Sequence, residues 1–192
     1  MKNLLYVLFP LLFLTLSFSA CQKDPALTDP CYNITCYNDG ICANGLCNCP
    51  EGYEGSDCSI ALTPVSMTIN SITVTNYPLT QANGGGWDFT TGPDCVISLN
   101  SGITSDQNTF LSTTTYTNST ASSLTYNADF PITIETPNTD WSIGLWDDDS
   151  PANDDFMSGI YFTPNNYSSD FPSSFTLSTT ELSLTLEVTW NF

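Results

Sequence analysis

The chain has 192 residues and a formal net charge of −18, because 20 acidic side chains face only two lysines, and it has neither arginine nor histidine. So acidic a chain repels nucleic acid, and the lack of histidine excludes serine–histidine and cysteine–histidine hydrolases. Hydrophobic residues make up 41% and aromatic residues 12% of the sequence, which favours a folded core over a disordered acidic chain.

Residues 1–20 have the features of an export signal. Lys2 precedes the apolar run "LLYVLFPLLFLTLSF", which is short for a membrane-spanning helix and ends in small residues before Cys21. The stretch "SFSAC" resembles a bacterial lipobox, although Phe18 stands where that family most often has leucine. The resemblance implies that Cys21 carries diacylglycerol. The alternative is an ordinary signal peptide with Cys21 in a disulfide.

Residues 21–30 are polar and read as a tether. Their first residues, "CQKDP", resemble the tag that sends some Gram-negative lipoproteins to the outer cell surface. We therefore expect an outer-membrane lipoprotein that is exposed at the cell surface.

Six cysteines lie within residues 31–58, separated by four, five, four, one and eight residues. So short a module needs cross-links in place of a large core, which predicts three disulfides and leaves their pairing open. Zinc binding is the alternative, but "CNC" spacing suits tetrahedral ligation poorly and an exported chain meets an oxidising compartment.

The ending "CNCPEGYEGSDC" closely resembles the last hairpin of epidermal growth factor (EGF)-like domains, in which two glycines and an aromatic residue shape the final loop. The resemblance covers residues 31–58. It implies the disulfides Cys31–Cys42, Cys36–Cys47 and Cys49–Cys58. We expect this module to be a rigid spacer or contact surface without chemistry of its own.

After a linker at residues 59–65, apolar and hydroxyl residues alternate, which predicts β-strands. The clearest strand is "LSLTLEVTW", and further candidates are "SITVT", "CVISL", "FPITI", "WSIGLW", "GIYF" and "SFTL". Turn clusters such as "NGGG" and "PNTD" separate them, and no stretch has convincing helical periodicity. The predicted fold class is all-β: a small disulfide-rich module followed by an antiparallel sandwich of about eight strands.

Aspartates gather where the predicted strands meet loops. The stretch "LWDDDSPANDD" holds five aspartates in eleven residues, and Asp88 and Asp94 flank the loop before "CVISL". Two unit charges about 4 Å apart repel by about 1 kcal/mol in water and about 4 kcal/mol near a protein surface. Oxygen ligands without histidine select a hard cation, which outside the cell is calcium. We therefore predict a calcium site of Asp88, Asp94, Asp147, Asp149 and Asp155, with a solvated acidic turn as the alternative.

Both acidic loops resemble the calcium-binding loops of C2 domains, the lipid-binding modules of protein kinase C and synaptotagmins. The stretch "PDCVISL" resembles that family's Asp-Pro-Tyr-Val strand start, and "IGLWDDD" resembles its strand that ends in Trp/Tyr-Asp-x-Asp. The resemblance covers residues 66–192 and implies a C2-like sandwich that binds two or three calcium ions on the five aspartates. Asp148 and Asp154 are weaker candidates. Cys95 replaces the family's usual proline and is interpreted as a small buried residue.

We expect a cell-surface lipoprotein that acts as a calcium-dependent binding or adhesion module and is not an enzyme. Its expected partners are calcium ions, the membrane through the N-terminal lipid, and a lipid headgroup, glycan or protein bridged by calcium, but no nucleic acid. Two alternatives stay open. In the first, calcium is purely structural in a protein-binding sandwich. In the second, two carboxylates act as the acid and base of a glycan hydrolase.

Overall fold

The computed structural model describes residues 29–103, 112 and 114–192. The predicted signal peptide, Cys21 and most of the predicted tether lie outside these ranges. The described part contains a short 3-10 helix at Pro164–Tyr167 and the strands β1 Ile41–Ala43, β2 Leu46–Asn48, β3 Tyr53–Glu54, β4 Ile60–Ala61, β5 Ser66–Asn76, β6 Cys95–Ser101, β7 Leu124–Tyr126, β8 Ile132–Ile134, β9 Trp141–Asp147, β10 Asp155–Phe162, β11 Ser174–Ser178 and β12 Ser183–Asn191. Within it, no helix combines the length and apolar character that a membrane crossing needs.

Two small hairpins and three disulfides build the N-terminal module. The β1–β2 hairpin turns at Asn44 and Gly45, both at positive φ (52° and 86°), as two-residue turns that match the strand twist require. In the second hairpin, β3 pairs with β4, which belongs to the predicted linker. The disulfides are the three pairs that the EGF resemblance implies: Cys31–Cys42, Cys36–Cys47 and Cys49–Cys58.

The larger module is an antiparallel sandwich of two sheets. One has the strand order β10-β9-β6, and the other has the order β11-β12-β5-β7, with β8 also paired to β5. Both short strands fit on one edge because β5 has 11 residues: β8 pairs with Met67–Ile69 and β7 with Ile72–Val74. The fold class is therefore all-β, with a disulfide-linked module before an antiparallel sandwich, which confirms the prediction.

Alternation along the strands puts apolar side chains between the sheets. On β12, Leu184, Leu186, Val188 and Trp190 are buried, while Glu187 and Thr189 are exposed. Full burial of one such aliphatic side chain contributes about 1.5–3 kcal/mol. On the outer face, hydroxyls pair across neighbouring strands. These pairs are Thr68–Thr133 at 3.0 Å, Thr73–Thr125 at 3.1 Å and Thr176–Thr185 at 3.1 Å.

Aromatic rings join the two modules. Tyr53 of β3 meets Phe171 edge-to-face, with ring centroids 5.3 Å apart, and Phe171 meets Phe192 in the same way at 4.6 Å. Gly52 lies under both phenylalanines, since a Cβ there would lie 2.7 Å from Phe171 and 2.8 Å from Phe192. The N–H of Leu62 donates to the carbonyl of Gly52 at 2.8 Å, which holds the linker against the small module. The small module is therefore packed against the sandwich rather than merely tethered to it.

The joint lies at the end of the sandwich opposite the acidic loops. At the joint, β5 begins at Ser66, paired with Asn191, and it runs to Asn76, paired with Ser183, at the other end. Eleven extended residues span roughly 30 Å. The start of β6, the end of β9 and the start of β10 are paired with one another, and they lie at this far end because Asp155 of β10 and Asn76 of β5 line the same cleft. Every strand predicted from the alternation is present, whereas β7, with only three residues, was not predicted.

Candidate metal centre

Strand pairing alone gathers part of the acidic cluster. Asp147 ends the central strand β9, and Cys95, which follows Asp94 directly, lies opposite it on β6. On the other side, Asp155 begins β10 and is also paired with Asp147. The loops that contain the predicted ligands therefore leave one end of one sheet.

Three of the five predicted ligands converge closely. One carboxylate oxygen from each of Asp88, Asp147 and Asp149 lies within 4.8 Å of the others. Asp88 comes from the loop between β5 and β6, where Trp87 packs against the core and donates its indole N–H to the carbonyl of Pro78 at 2.8 Å. Thr91 donates its hydroxyl to Asp88 at 3.0 Å. These contacts hold the Asp88 carboxylate at the cluster.

Asp147 is the buried member of the cluster, with no solvent-accessible surface. Its Oδ1 accepts the backbone N–H of Asp94 at 2.5 Å. Its Oδ2 is buried and has no hydrogen-bond partner in the described part of the chain. Burial raises the pKa of Asp147 to about 6, and the negative charges of Asp88, Asp149 and Asp94 add to this rise, while the Asp94 N–H opposes it. A buried carboxylate oxygen without a partner is costly, and either a proton or a bound cation would lower that cost.

Asp149 and Asp148 are neighbours with opposite environments. Burial raises the pKa of Asp149, and the nearby charges of Asp155 and Asp88 raise it further. The pKa of Asp148 is lowered by its hydrogen bonds with Ser150, whose N–H donates to Oδ1 at 3.1 Å, while Oδ2 accepts the hydroxyl of Thr115 at 3.3 Å. Asp148 is therefore satisfied by Ser150 of its own loop and by Thr115 of a neighbouring segment, whereas Asp149 joins the cluster.

Asp94 and Asp155 lie next to the cluster but are not among its three converging carboxylates. Oδ1 of Asp94 accepts the backbone N–H of Asn118 at 2.5 Å, and the Asp94 carbonyl accepts the N–H of Asp148 at 2.8 Å. Asp94 thus ties three loops together. Asp155 is exposed, and its charge acts on Asp149.

The segment around Tyr116 supports the site and was not predicted from the sequence. Tyr116 forms an isolated bridge with Cys95, and the N–H of Ser119 donates to the carbonyl of Pro93 at 2.7 Å. No alternation or motif marks this segment, so only the fold reveals it. Cys95 is a buried free cysteine whose pKa is raised to about 12, mainly by burial and further by Asp147 and Asp94, so it stays a thiol.

The donor set fits a hard divalent cation. The cluster offers only carboxylate oxygens, and the described part of the chain contains no lysine, arginine or histidine that could neutralise them. Such ligands suit calcium, which accepts six to eight oxygens in flexible geometry. Backbone carbonyls or water molecules would complete the coordination.

No known protein-family profile matches the sequence, and a search of curated proteins finds no match. Among solved structures, the chain is similar to human group IVD cytosolic phospholipase A2 in complex with methyl gamma-linolenyl fluorophosphonate, with 17% identity over 66% of this chain and a TM-score of 0.44. It is also similar to the tandem C2 domains of extended-synaptotagmin 2, with 17% identity over 73% of this chain and a TM-score of 0.43. The match covers 17% of the phospholipase chain and 46% of the synaptotagmin chain.

Proposed function

We propose that this chain is a calcium-dependent binding module whose ion is held by Asp88, Asp147 and Asp149. The observation that carries the proposal is the partnerless, buried Oδ2 of Asp147 beside two further carboxylates. A solvated acidic turn would leave these oxygens in water, but Asp147 has no accessible surface. In this proposal Asp155, which is exposed and whose charge acts on Asp149, is an additional ligand, and Asp94 positions the loops.

A binding role follows from where the cluster lies. Asp147 anchors the site in the end of the sandwich, whereas Asp149, in the loop after β9, is partly exposed and Asp155, at the start of β10, is exposed. Bound calcium would supply positive charge and open coordination positions at this otherwise acidic surface. A partner that offers phosphate, carboxylate or hydroxyl oxygens would therefore be recognised here only when calcium is present.

The proposal favours binding over catalysis. General acid–base chemistry needs a titratable pair that faces the substrate, and Asp147, whose pKa is raised to about 6, is buried with one oxygen tied to the backbone of Asp94. Asp149 shares the ion with it in this proposal. The geometry therefore favours a non-enzymatic binding role over acid–base catalysis.

We further propose that the protein is anchored at the outer cell surface by lipid on Cys21. The sequence "SFSAC" and the following "CQKDP" support this proposal. The architecture is compatible with it, because the N-terminal module packs on the end of the sandwich opposite the acidic loops. Anchoring at that end would direct the calcium site away from the membrane that carries the lipid.

Isothermal titration of the mature chain in detergent with calcium tests the function. We expect a dissociation constant of about 10⁻⁴–10⁻³ M, the range of extracellular modules. Asp149→Asn should abolish binding, and Asp170→Asn, which makes the same chemical change at an exposed site on the other end, should not. Equal heats for both variants and the wild type would contradict the proposal.

A further inference from the structure

A cleft of about 760 Å³ adjoins the acidic cluster. It lies between the loop after β5, the start of β10 and the turn between β11 and β12. Asp155 belongs to both features, since it lines the cleft and its charge acts on Asp149. Its walls include Asn76, Thr80, Trp87, Asp155, Phe156 and Glu181.

Two aromatic rings are held in fixed orientations at this cleft. The indole N–H of Trp87 is tied to the carbonyl of Pro78 at 2.8 Å. Phe156 meets Trp146 edge-to-face, with ring centroids 5.0 Å apart, and lies over Gly159, where a Cβ would be 3.1 Å from the ring. Even so, 43% of Phe156 stays exposed. A rigid, accessible ring is the surface on which a flat apolar ligand face stacks.

An irregularity in β10 places Phe156 there. The register with β9 shifts between Phe156 and Ser158, which lie opposite the consecutive residues Trp146 and Leu145, so Met157 is the extra residue of a β-bulge. Met157 turns into the core, while Phe156 stays at the surface. Bulges of this kind redirect side chains near functional sites.

The described residues that line the cleft offer unused hydrogen-bonding groups and include no cationic side chain. Within the described part of the chain, no hydrogen bond is made by the side chains of Asn76, Thr80, Thr180 or Glu181, and all four are exposed. These groups accept hydrogen bonds from hydroxyls, and the amide and hydroxyl groups also donate them. With Glu181 and Asp155 in the walls, the cleft repels anionic ligands.

From these features we infer that the cleft binds a neutral oligosaccharide, a deepening that rests on the binding function proposed above. A pyranose ring presents an apolar C–H face that matches Phe156 and Trp87, and a rim of hydroxyls that matches Asn76, Thr180 and Glu181. Sugar hydroxyls at the Asp155 end of the cleft would lie beside the acidic cluster of Asp88, Asp147 and Asp149. Charge favours an uncharged sugar over an acidic one.

The experiment measures binding of the mature chain in detergent to neutral hexasaccharides of β-linked glucose, xylose and mannose. Homogalacturonan oligomers are the anionic comparison, and vesicles of phosphatidylcholine and phosphatidylserine are the membrane comparison. We expect calcium-dependent binding of at least one neutral hexasaccharide. Phe156→Ala should weaken it by about tenfold or more, as truncation of a stacking aromatic does.

Two matched aromatic truncations act as controls. Phe89→Ala removes the fully exposed ring beside Asp88, outside the cleft lining, and Tyr161→Ala removes an exposed ring of β10 that does not line this cleft. Both should keep the affinity for the neutral sugar. Equal loss in Phe89→Ala and Phe156→Ala, or binding of the vesicles but of no neutral sugar, would overturn the inference.

Thermal melting with and without calcium separates this inference from the proposed function. If calcium raises the melting temperature but no neutral hexasaccharide binds, the sugar assignment is wrong and the calcium site stands. If a neutral sugar binds through Phe156 but calcium changes neither binding nor melting, the cleft stands and the calcium role fails.

Discussion

The backbone N–H of Asp94 donates a 2.5 Å hydrogen bond to Oδ1 of Asp147, a residue 53 positions further along the chain. This bond joins the loop before β6 to the end of β9 and uses one of the two oxygens of a fully buried carboxylate. The second oxygen is left without a partner in the described part of the chain. A buried aspartate in this state favours either a proton or a cation, and the following predictions separate the two.

Asp147→Asn should be more stable than the wild type in chelator and less stable than the wild type in calcium. In chelator the variant should melt above the wild type, because it removes a buried charge that faces Asp88 and Asp149. In calcium it should melt below, since the wild type gains about 2.7 kcal/mol when free calcium is 100-fold above its dissociation constant. Differential scanning calorimetry in calcium, magnesium and chelator measures both effects. Magnesium should stabilise the wild type less, because it resists dehydration. Equal melting temperatures of the wild type in calcium and chelator would leave the solvated-turn alternative standing.

The loss of calcium-dependent stabilisation should differ among the aspartate-to-asparagine variants according to where each carboxylate lies. Asp88→Asn and Asp149→Asn each remove one of the three converging carboxylates and should lose most of the calcium-dependent rise in melting temperature. Asp94→Asn should lose less, because an asparagine Oδ1 still accepts the Asn118 N–H and the backbone bond to Asp147 is unchanged. If Asp94→Asn is as damaging as Asp149→Asn, Asp94 is a direct ligand.

The pH dependence follows from the raised pKa of Asp147. The pKa of its carboxyl is raised from the ordinary value of 3.8 to about 6 in the folded chain. The folded state therefore holds the carboxyl proton more tightly than the unfolded state does. In chelator, its contribution to the free energy of unfolding therefore falls as pH rises from about 4 to about 6 and stays low above that. Urea unfolding across this range should show a growing advantage of Asp147→Asn over the wild type. In calcium the wild type should instead gain stability over Asp147→Asn as pH rises, because calcium binds the deprotonated carboxylate. A constant difference between the two proteins at all pH values would contradict the raised pKa.

Local patterns predicted most of the fold, because alternation directly reports which side of a strand is buried. The strand "LSLTLEVTW" is an example, since its apolar residues from Leu182 to Trp190 are all buried. The three-residue β7 carries too few residues for such a pattern. The sequence predicted that the acidic loops lie at one end of the sandwich. It did not predict the role of each aspartate within those loops. Whether Asp94 points its carboxylate at the cluster or at Asn118 depends on a loop contact that no sequence spacing encodes.

Cys21→Ser tests the anchor. The "SFSAC" stretch predicts that Cys21 is lipidated, so the variant should appear in the soluble fraction or keep its signal, whereas wild type should fractionate with membranes. Cell fractionation with mass spectrometry of the N-terminus measures this. Cys95→Ser, at the buried free cysteine, is the matched control and should leave the fractionation unchanged. Identical processing and fractionation of Cys21→Ser and wild type would show that the lipobox assignment is wrong.

The aromatic joint between the modules predicts that a single methyl group weakens their packing. Gly52 and Gly84 both have positive φ, 88° and 83°, so alanine carries a similar backbone cost of about 1–2 kcal/mol at either position. At Gly84 a Cβ meets nothing within 4 Å, but at Gly52 it would lie 2.7 Å from the ring of Phe171. Gly52→Ala should therefore lower the melting temperature more than Gly84→Ala does. It should also expose the sites around Phe171 to proteolysis, which limited digestion followed by mass spectrometry would detect. The disulfides should keep the small module itself folded in both variants, since each contributes typically about 2–4 kcal/mol. Equal melting temperatures and equal digestion patterns would show that the two modules pack too weakly to respond to the clash.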